Sequence, residues 1–164
     1  MQQPPELVRA ICDWLDLSSR NVTVARGADE GIDCLMRAFC VPAVDNIIIC
    51  PPTFAMYAQS AMLQGVEVRK VPLADDFGLD TGGIMAAVDG NTKMVFVCSP
   101  NNPTANLMDR DAVTGLCTAL SGRALVVVDE TYIDYADADS MATELERFET
   151  VSYTHLRAHE THSN

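Results

Sequence analysis

The sequence predicts an α/β fold with a mainly parallel sheet, and three observations carry that prediction. Residues 125–128 (Leu125, Val126, Val127, Val128) form an apolar run, three of the four β-branched, that ends abruptly in Asp129, Glu130, Thr131 and Tyr132. Such a run suits a strand covered on both faces, as the strands of parallel sheets are. Further short apolar runs at 46–50, 66–71 and 94–98 alternate with segments of helical period, and that alternation joins most simply through parallel βαβ crossings. In open α/β sheets ligands lie outside the carboxyl ends of the strands, so Asp129 is expected at the rim of a pocket. The competing reading, that Asp129 and Glu130 merely open a solvated loop, stays open on this motif alone.

Taken in order, Leu7, Ala10, Ile11, Trp14 and Leu15 recur at helical spacing behind Pro4 and Pro5, which suit a helix start. Val22 and Val24 alternate with polar residues and predict a short strand. Arg26, Gly27, Ala28, Asp29 and Glu30 then make a tight turn into a helix whose apolar stripe is Ile32, Leu35, Met36 and Phe39. A glycine turn before a helix start presents backbone N–H groups with no carbonyl behind them, at the positive end of the helix dipole. A phosphate could dock on Ala28 and Asp29; an ordinary turn with two acids favouring the dipole is the alternative.

A β-branched strand at 46–50 leads through Pro51, Pro52 and Thr53 into a helix over 54–63, with Phe54 just beyond the strand end. There an aromatic could stack on a planar ligand, although core packing is its default use. A strand at 66–71, a short helix at 81–88 and a buried strand at 94–98 follow. Ser99, Pro100, Asn101, Asn102, Pro103 and Thr104 form the next loop, stiffened by two prolines and carrying two amides at a strand end. The last helix spans 109–120, with Val113, Leu116, Cys117 and Leu120 on one face and Gly122 as its cap.

Composition narrows the function classes. With 164 residues, 48% of them hydrophobic and 21% charged, the chain is long enough for one ordinary globular core. A formal net charge of −12, with 11 scattered basic residues, argues against a nucleic-acid backbone as partner. No apolar run reaches the roughly 20 residues that span a bilayer, and no signal peptide is evident, so a cytoplasmic protein is expected. The six cysteines include no C-x-x-C pair and read as small buried hydrophobes rather than a disulfide framework or a zinc site. From about Val151 the composition changes: no helical or strand period is visible, and His155, His159 and His162 are all the histidines of the chain. Metal binding by these three is a weak alternative, since His159 and His162 miss the i, i+4 spacing of the zincin motif by one residue.

Four motifs, Gly27-Ala28-Asp29-Glu30, Cys50-Pro51-Pro52-Thr53-Phe54, Ser99-Pro100-Asn101-Asn102-Pro103-Thr104 and Val128-Asp129-Glu130-Thr131-Tyr132, occur in this order. Together they resemble the pyridoxal-phosphate-dependent aminotransferases of fold type I, over about residues 5–149, and most of all a branch that hands an amino group to a phosphate ester. The resemblance implies a three-layer large domain, mainly parallel and here incomplete, with pyridoxal 5'-phosphate as cofactor. It implies that Ala28 and Asp29 cradle the cofactor phosphate and that Phe54, where the family more often has Tyr, stacks on the ring. It further implies that Asn102 and Tyr132 bond the phenolic oxygen and that Asp129 pairs with the protonated pyridine nitrogen. An Asn102–Pro103 cis bond also goes with the resemblance. Small-molecule partners, an amino acid and a phosphate ester, and a homodimeric parent follow from it, with no nucleic acid and no membrane.

The sequence departs from the family at Ala105, usually Gly, and Thr131, often Ala. More consequential is the Schiff-base lysine expected after the strand that follows Tyr132: the chain has only Lys70 and Lys93, both upstream. The sequence therefore reads as 1–150, part of a cofactor-binding large domain, followed by 151–164, a non-native tail resembling a translated sequencing adapter. Such a chain is expected to be inactive alone, with the strand at Val22 lacking a neighbour and the strand at Leu125 exposing an edge. Other fold type I enzymes (aspartate aminotransferases, threonine-phosphate decarboxylases), a non-catalytic pyridoxal-phosphate-binding protein and a nucleotide hydrolase with a Walker-B strand stay open as alternatives. The last lacks a Gly-Lys-Ser/Thr loop.

Overall fold

The computed structural model describes residues 3–142, Glu144 and 151–154. In chain order the elements are α1 (Pro5–Leu15), α2 (Ala28–Phe39), β1 (Asn46–Ile49), α3 (Met56–Leu63) and β2 (Glu67–Lys70). After these come α4 (Thr81–Ala87), β3 (Thr92–Cys98), α5 (Arg110–Ala119), β4 (Leu125–Asp129) and β5 (Val151–Thr154). The strands form one sheet in the order β2-β1-β3-β4-β5, and each neighbouring pair is parallel.

Because successive strand residues face opposite sides, the β-branched runs supply two cores at once. Ile47, Ile49, Met94, Phe96, Cys98 and Val127 pack with Ile32 and Met36 of α2 and Tyr57 and Ala61 of α3. Ile48, Cys50, Val95, Val97, Val126 and Val128 face the other way, onto Ile84 of α4 and Val113, Leu116 and Cys117 of α5. The result is three layers. Each fully buried Ile or Phe contributes roughly 2–3 kcal/mol, which is why these two stripes dictate the layering. Side-chain caps fix where the α4/α5 layer begins: Asp80 accepts from the Gly83 amide and Asp109 from the Ala112 amide, both at 2.8 Å.

Three expectations are corrected. Residues 22–25 are not a strand; 3-10 turn Ser19–Asn21 precedes them, and Val24 donates its N–H to Gln3 Oε1 at 2.7 Å and receives Gln3 Nε2 on its carbonyl at 3.3 Å. A side chain has replaced the neighbouring strand, so the expected lack of a strand partner there holds. The edge of β4 is not open, because residues 151–154, read as lacking any period, pair along it in register from Val126↔Val151 to Asp129↔Thr154. Finally, Phe39 at the end of the α2 stripe is exposed, as are Leu7 and Trp14 of α1, because the sheet face is already covered by Ile32 and Met36 of α2 and by α3.

Candidate functional site

The strand order reverses between β1 and β3: the chain leaves β1 outward to β2 and returns on β1's other side. The loops after β1 and β3 therefore diverge, and a crevice opens at their carboxyl ends. Into it come Phe54 from the loop after β1, Asn102 from the loop after β3, and Asp129, Thr131 and Tyr132 from the end of β4. The start of α2 closes it from above. A cavity of about 330 Å³ results, lined by Arg26, Gly27, Ala28, Asp29, Phe54, Cys98, Asn102, Asp129, Thr131 and Tyr132. All six residues singled out in the sequence, Ala28, Asp29, Phe54, Asn102, Asp129 and Tyr132, meet in this one space.

Strand parity decides which acid faces it. Asp129 shares the parity of Val127 and falls on the α2/α3 side, whereas Glu130 turns to the other face. Neither opens a solvated loop; Asp129 is 3% and Glu130 2% exposed. Asp129 Oδ2 accepts from the Tyr57 hydroxyl at 2.6 Å, and Oδ1 accepts from the Thr131 hydroxyl at 2.7 Å and the Thr131 amide at 3.1 Å. Three donors thus fix a carboxylate that still reaches the cavity wall. Tyr57 is itself fully buried, stacked on Phe96 with ring centroids 4.7 Å apart and edge-on to Phe54 at 5.6 Å. Burial and the adjacent Asp129 push its phenol far above the ordinary value, so it serves Asp129 as a donor. Burial, then Asp129, likewise push the Cys98 thiol up to about 11, which makes it a neutral wall and not a nucleophile.

Gly27 enters α2 at φ +89°, a conformation that costs glycine nothing, and no side chain caps the helix. The N–H groups of Ala28 and Asp29 consequently have no carbonyl behind them and face the cavity end. Glu30 is otherwise engaged: it accepts from the Arg26 guanidinium at 2.9 Å and from the Arg26 amide at 2.6 Å, which hold its carboxyl below the usual range. The side-chain amide of Asn102 and the hydroxyl of Tyr132 have no hydrogen-bond partner among the described residues, and both line the cavity.

The loop that carries Asn102 is built by its neighbour. Asn101, 2% exposed, accepts from the Thr53 hydroxyl at 3.0 Å and donates to Pro52 O at 2.8 Å and to Thr104 Oγ1 at 2.6 Å, tying the loop after β3 to the loop after β1. Asn102–Pro103 is cis, as are Ser99–Pro100 and Pro51–Pro52. A second, larger cavity of about 650 Å³ shares Asn102 and Tyr132 with the first and adds Pro103, Leu107, Tyr135 and Asp137.

Sequence reasoning missed Tyr57, Thr131 as a ligand of Asp129, and the walls Arg26 and Cys98. That a tyrosine buried on a helix needs a partner for its hydroxyl could be expected, but the acceptor lies 72 positions away and no local signal names it. Neither lysine is at the site. Lys93 pairs with Asp45 at the amino end of the sheet, 3.6 Å away, and Lys70 is exposed on the edge strand β2. The neighbourhood in which a Schiff-base lysine is expected, and His155, His159 and His162, lie outside the described residues. Among the described residues no cluster could hold a metal ion, all six cysteines are free, and no helix is long and apolar enough to cross a membrane.

An α/β sheet with a switch-point crevice, a bare helix N-terminus and a braced carboxylate is the arrangement of a domain that binds a ligand at its strand ends. The chain belongs to the aminotransferase class I and II family, whose model matches residues 1–163. Within it, the chain is similar to histidinol-phosphate aminotransferases. It is 50% identical over 133 residues to that of Aliivibrio fischeri (strain MJ11), covering 81% of this chain and 38% of the relative. To that of Pectobacterium atrosepticum it is 47% identical over 146 residues, 89% of this chain and 41% of the relative. The histidinol-phosphate aminotransferase of Clostridium acetobutylicum superposes with a TM-score of 0.80 at 22% identity, over 91% of this chain and 44% of that one. The aspartate aminotransferase of Thermotoga maritima does so with a TM-score of 0.80 at 26%, over 91% and 42%. The fold is thus that of the fold type I aminotransferases, and the chain spans about two fifths of the length of the curated relatives it matches.

Proposed function

We propose that this chain carries the cofactor-binding part of a pyridoxal-phosphate-dependent transaminase of the histidinol-phosphate type, which exchanges an amino group between glutamate and imidazole acetol phosphate. One observation carries the reading: the groups left unsatisfied at the crevice are complementary to one small molecule. The free amides of Ala28 and Asp29 suit its phosphate, and Phe54 suits one face of its ring. Asp129 suits its protonated ring nitrogen, and the unpartnered Asn102 amide and Tyr132 hydroxyl suit its phenolic oxygen. The identity to histidinol-phosphate aminotransferases supports the choice of substrate.

When bound, the cofactor supplies an electron-accepting ring for the substrate carbon that loses its proton. The chain's own part is to bind and to hold charge. Asp129, already oriented by Tyr57 and Thr131, keeps a proton on the ring nitrogen; the α2 amides anchor the phosphate; Phe54 and Cys98 exclude water. The second cavity, entered past Asn102 and Tyr132, is where the amino-acid and phosphate-ester substrates approach. We assign residues 1–150 to the large domain and 151–164 to a non-native tail, the whole enzyme to a cytoplasmic homodimer. The source gene read beyond codon 150 tests the tail.

Because neither lysine reaches the cavity, the chain alone is expected to bind pyridoxal phosphate without covalent capture and to have no transaminase activity. The test is equilibrium binding of pyridoxal phosphate to the chain, to Ala28→Pro and to Asp129→Asn, with borohydride reduction and peptide mass mapping. Proline is tolerated at the first position of a helix, so Ala28→Pro deletes one phosphate donor and spares the fold. At least tenfold weaker binding in both variants, with no stoichiometric adduct on Lys70 or Lys93, is the expected result. Unchanged affinity in both, or a stoichiometric adduct on one lysine, overturns the reading.

A further inference from the structure

Glu130 is as buried as Asp129, lines neither cavity, and has no part in the chemistry above. Its two hydrogen-bonding groups act on one loop. The Glu130 carbonyl accepts from the Ile133 amide at 3.0 Å, opening the 3-10 turn Ile133–Tyr135, and its Oε1 accepts from the Met141 amide at 2.8 Å. Residues 131–141 are thereby closed into a loop with both ends tied to one residue at the end of β4. Met141 is anchored in the α4/α5 core beside Val113 and Leu116, and Arg110 at the start of α5 holds the outside of the loop through Asp139 O at 3.3 Å and Glu144 at 2.9 Å. Every cavity residue contributed after β4 except Asp129 itself, namely Thr131, Tyr132, Tyr135, Ala136 and Asp137, rides on this loop.

We propose that Glu130 is a positioning residue: by holding the Met141 amide it closes the loop 131–141 on the sheet and so sets where the Tyr132 hydroxyl stands in the cofactor cavity. The groups that face it are Arg110 from α5, Ser140 and Met141 from the loop, and Asp129 from its own strand. Burial, against the bonds from Met141 and Ser140 and the charge of Arg110, pushes its carboxyl up to about 7. The clamp is therefore strongest where the carboxylate is charged and weakens as it protonates, near neutrality, because a charged acceptor makes the stronger bond.

That Tyr132 serves a cofactor rests on the function proposed above; the link between Glu130 and Tyr132 does not, so the two are measured separately. First, amide and aromatic NMR signals of the full chain are followed from pH 5.5 to 8.5 without ligand, in wild type and Glu130→Gln. Met141 amide and Tyr132 ring signals that move together with a midpoint near pH 7, and stay still in Glu130→Gln, are the expected result. A Met141 signal that titrates while Tyr132 does not, or no titration of either, overturns the proposal. Second, affinity for pyridoxal phosphate is compared between the two chains across the same range. A several-fold change around pH 7 that is flattened in Glu130→Gln and absent from a Tyr132→Phe background supports the proposal. A pH response that persists unchanged in Glu130→Gln contradicts it. Failure to bind at any pH removes the cofactor reading and leaves the loop linkage to be judged by the first measurement.

Discussion

At the amino end of the sheet, Asp45, Asn46 and Thr92 are buried and bonded within the chain; at the carboxyl end Asp129 and Asn101 are as buried and as firmly braced, but half-buried and exposed groups around the crevice find no partner among the described residues. Asn46 donates to Asp89 at 3.1 Å and accepts from the Thr92 hydroxyl at 2.8 Å, while Asp45 accepts from the Val41 amide at 2.7 Å and meets Lys93. Asp89 further receives the Asn91 amide at 2.9 Å and the Arg69 guanidinium at 2.7 Å. At the other end Asp129 is fully braced, yet the α2 amides, the Asn102 amide and the Tyr132 hydroxyl wait for a partner that the described residues do not provide. Buried polar groups are expensive to leave unpaired, and the open groups at the crevice are instead ones that water can reach, Tyr132 being 42% exposed. A closed, internally bonded end opposite an open crevice on which several accessible polar groups converge favours the crevice as the ligand end.

The two ends should respond to pH in opposite senses, and this is the largest effect expected. Glu130 has its folded value raised to about 7, so the folded state holds its proton more tightly than the unfolded one. Its contribution to stability is present in full below about 4.5 and is lost as pH rises through 7, roughly 3 kcal/mol at about 1.4 kcal/mol per tenfold change in proton affinity. Asp89 is pulled down, first by its bond from Asn46 and then by Arg69, so its contribution is present above its ordinary value of 3.8 and lost as pH falls below it. Urea midpoints between pH 4.5 and 8 should therefore decline in wild type and flatten in Glu130→Gln. A decline that survives the substitution would assign it elsewhere.

Next in size, Asn46→Ala should cost about 2 kcal/mol, since it removes two hydrogen bonds of a buried residue, one to Asp89 and one from the Thr92 hydroxyl, and should leave affinity for pyridoxal phosphate unchanged. Loss of affinity in parallel with stability would erase the distinction between the two ends.

Much of this architecture was legible because it rests on local chemistry. Residues 125–128 suit a doubly covered strand, Gly27 before an acidic helix start suits a turn, and of the six site residues four lie at or after strand ends while Ala28 and Asp29 open α2. What was not legible depends on contacts distant in sequence. Tyr57 finds Asp129 across 72 positions, and Asn101, adjacent to the residue singled out, proved to be the loop's internal brace by reaching Pro52 and Thr53. Val22 and Val24 alternate as a strand should, but alternation supplies no partner, and Gln3 took the place. Residues 151–154, Val-Ser-Tyr-Thr, are too short a run to be read as a strand without a partner, and they pair along the edge of β4.

A smaller effect is expected at Tyr57→Phe, which removes one of three donors from the buried Asp129: about 1 kcal/mol in urea unfolding. A change near zero would mean that Thr131 alone braces the carboxylate.

The most direct test of the central claim is a titration of the isotope-labelled chain with pyridoxal 5'-phosphate, followed residue by residue in amide NMR spectra. The account predicts saturable shifts at Ala28, Asp29, Asn102, Thr131 and Tyr132 and none at Asp45, Asn46, Asn91 or Thr92. Shifts confined to Lys70 and Lys93 and their neighbours, or spread equally over both ends of the sheet, would contradict it.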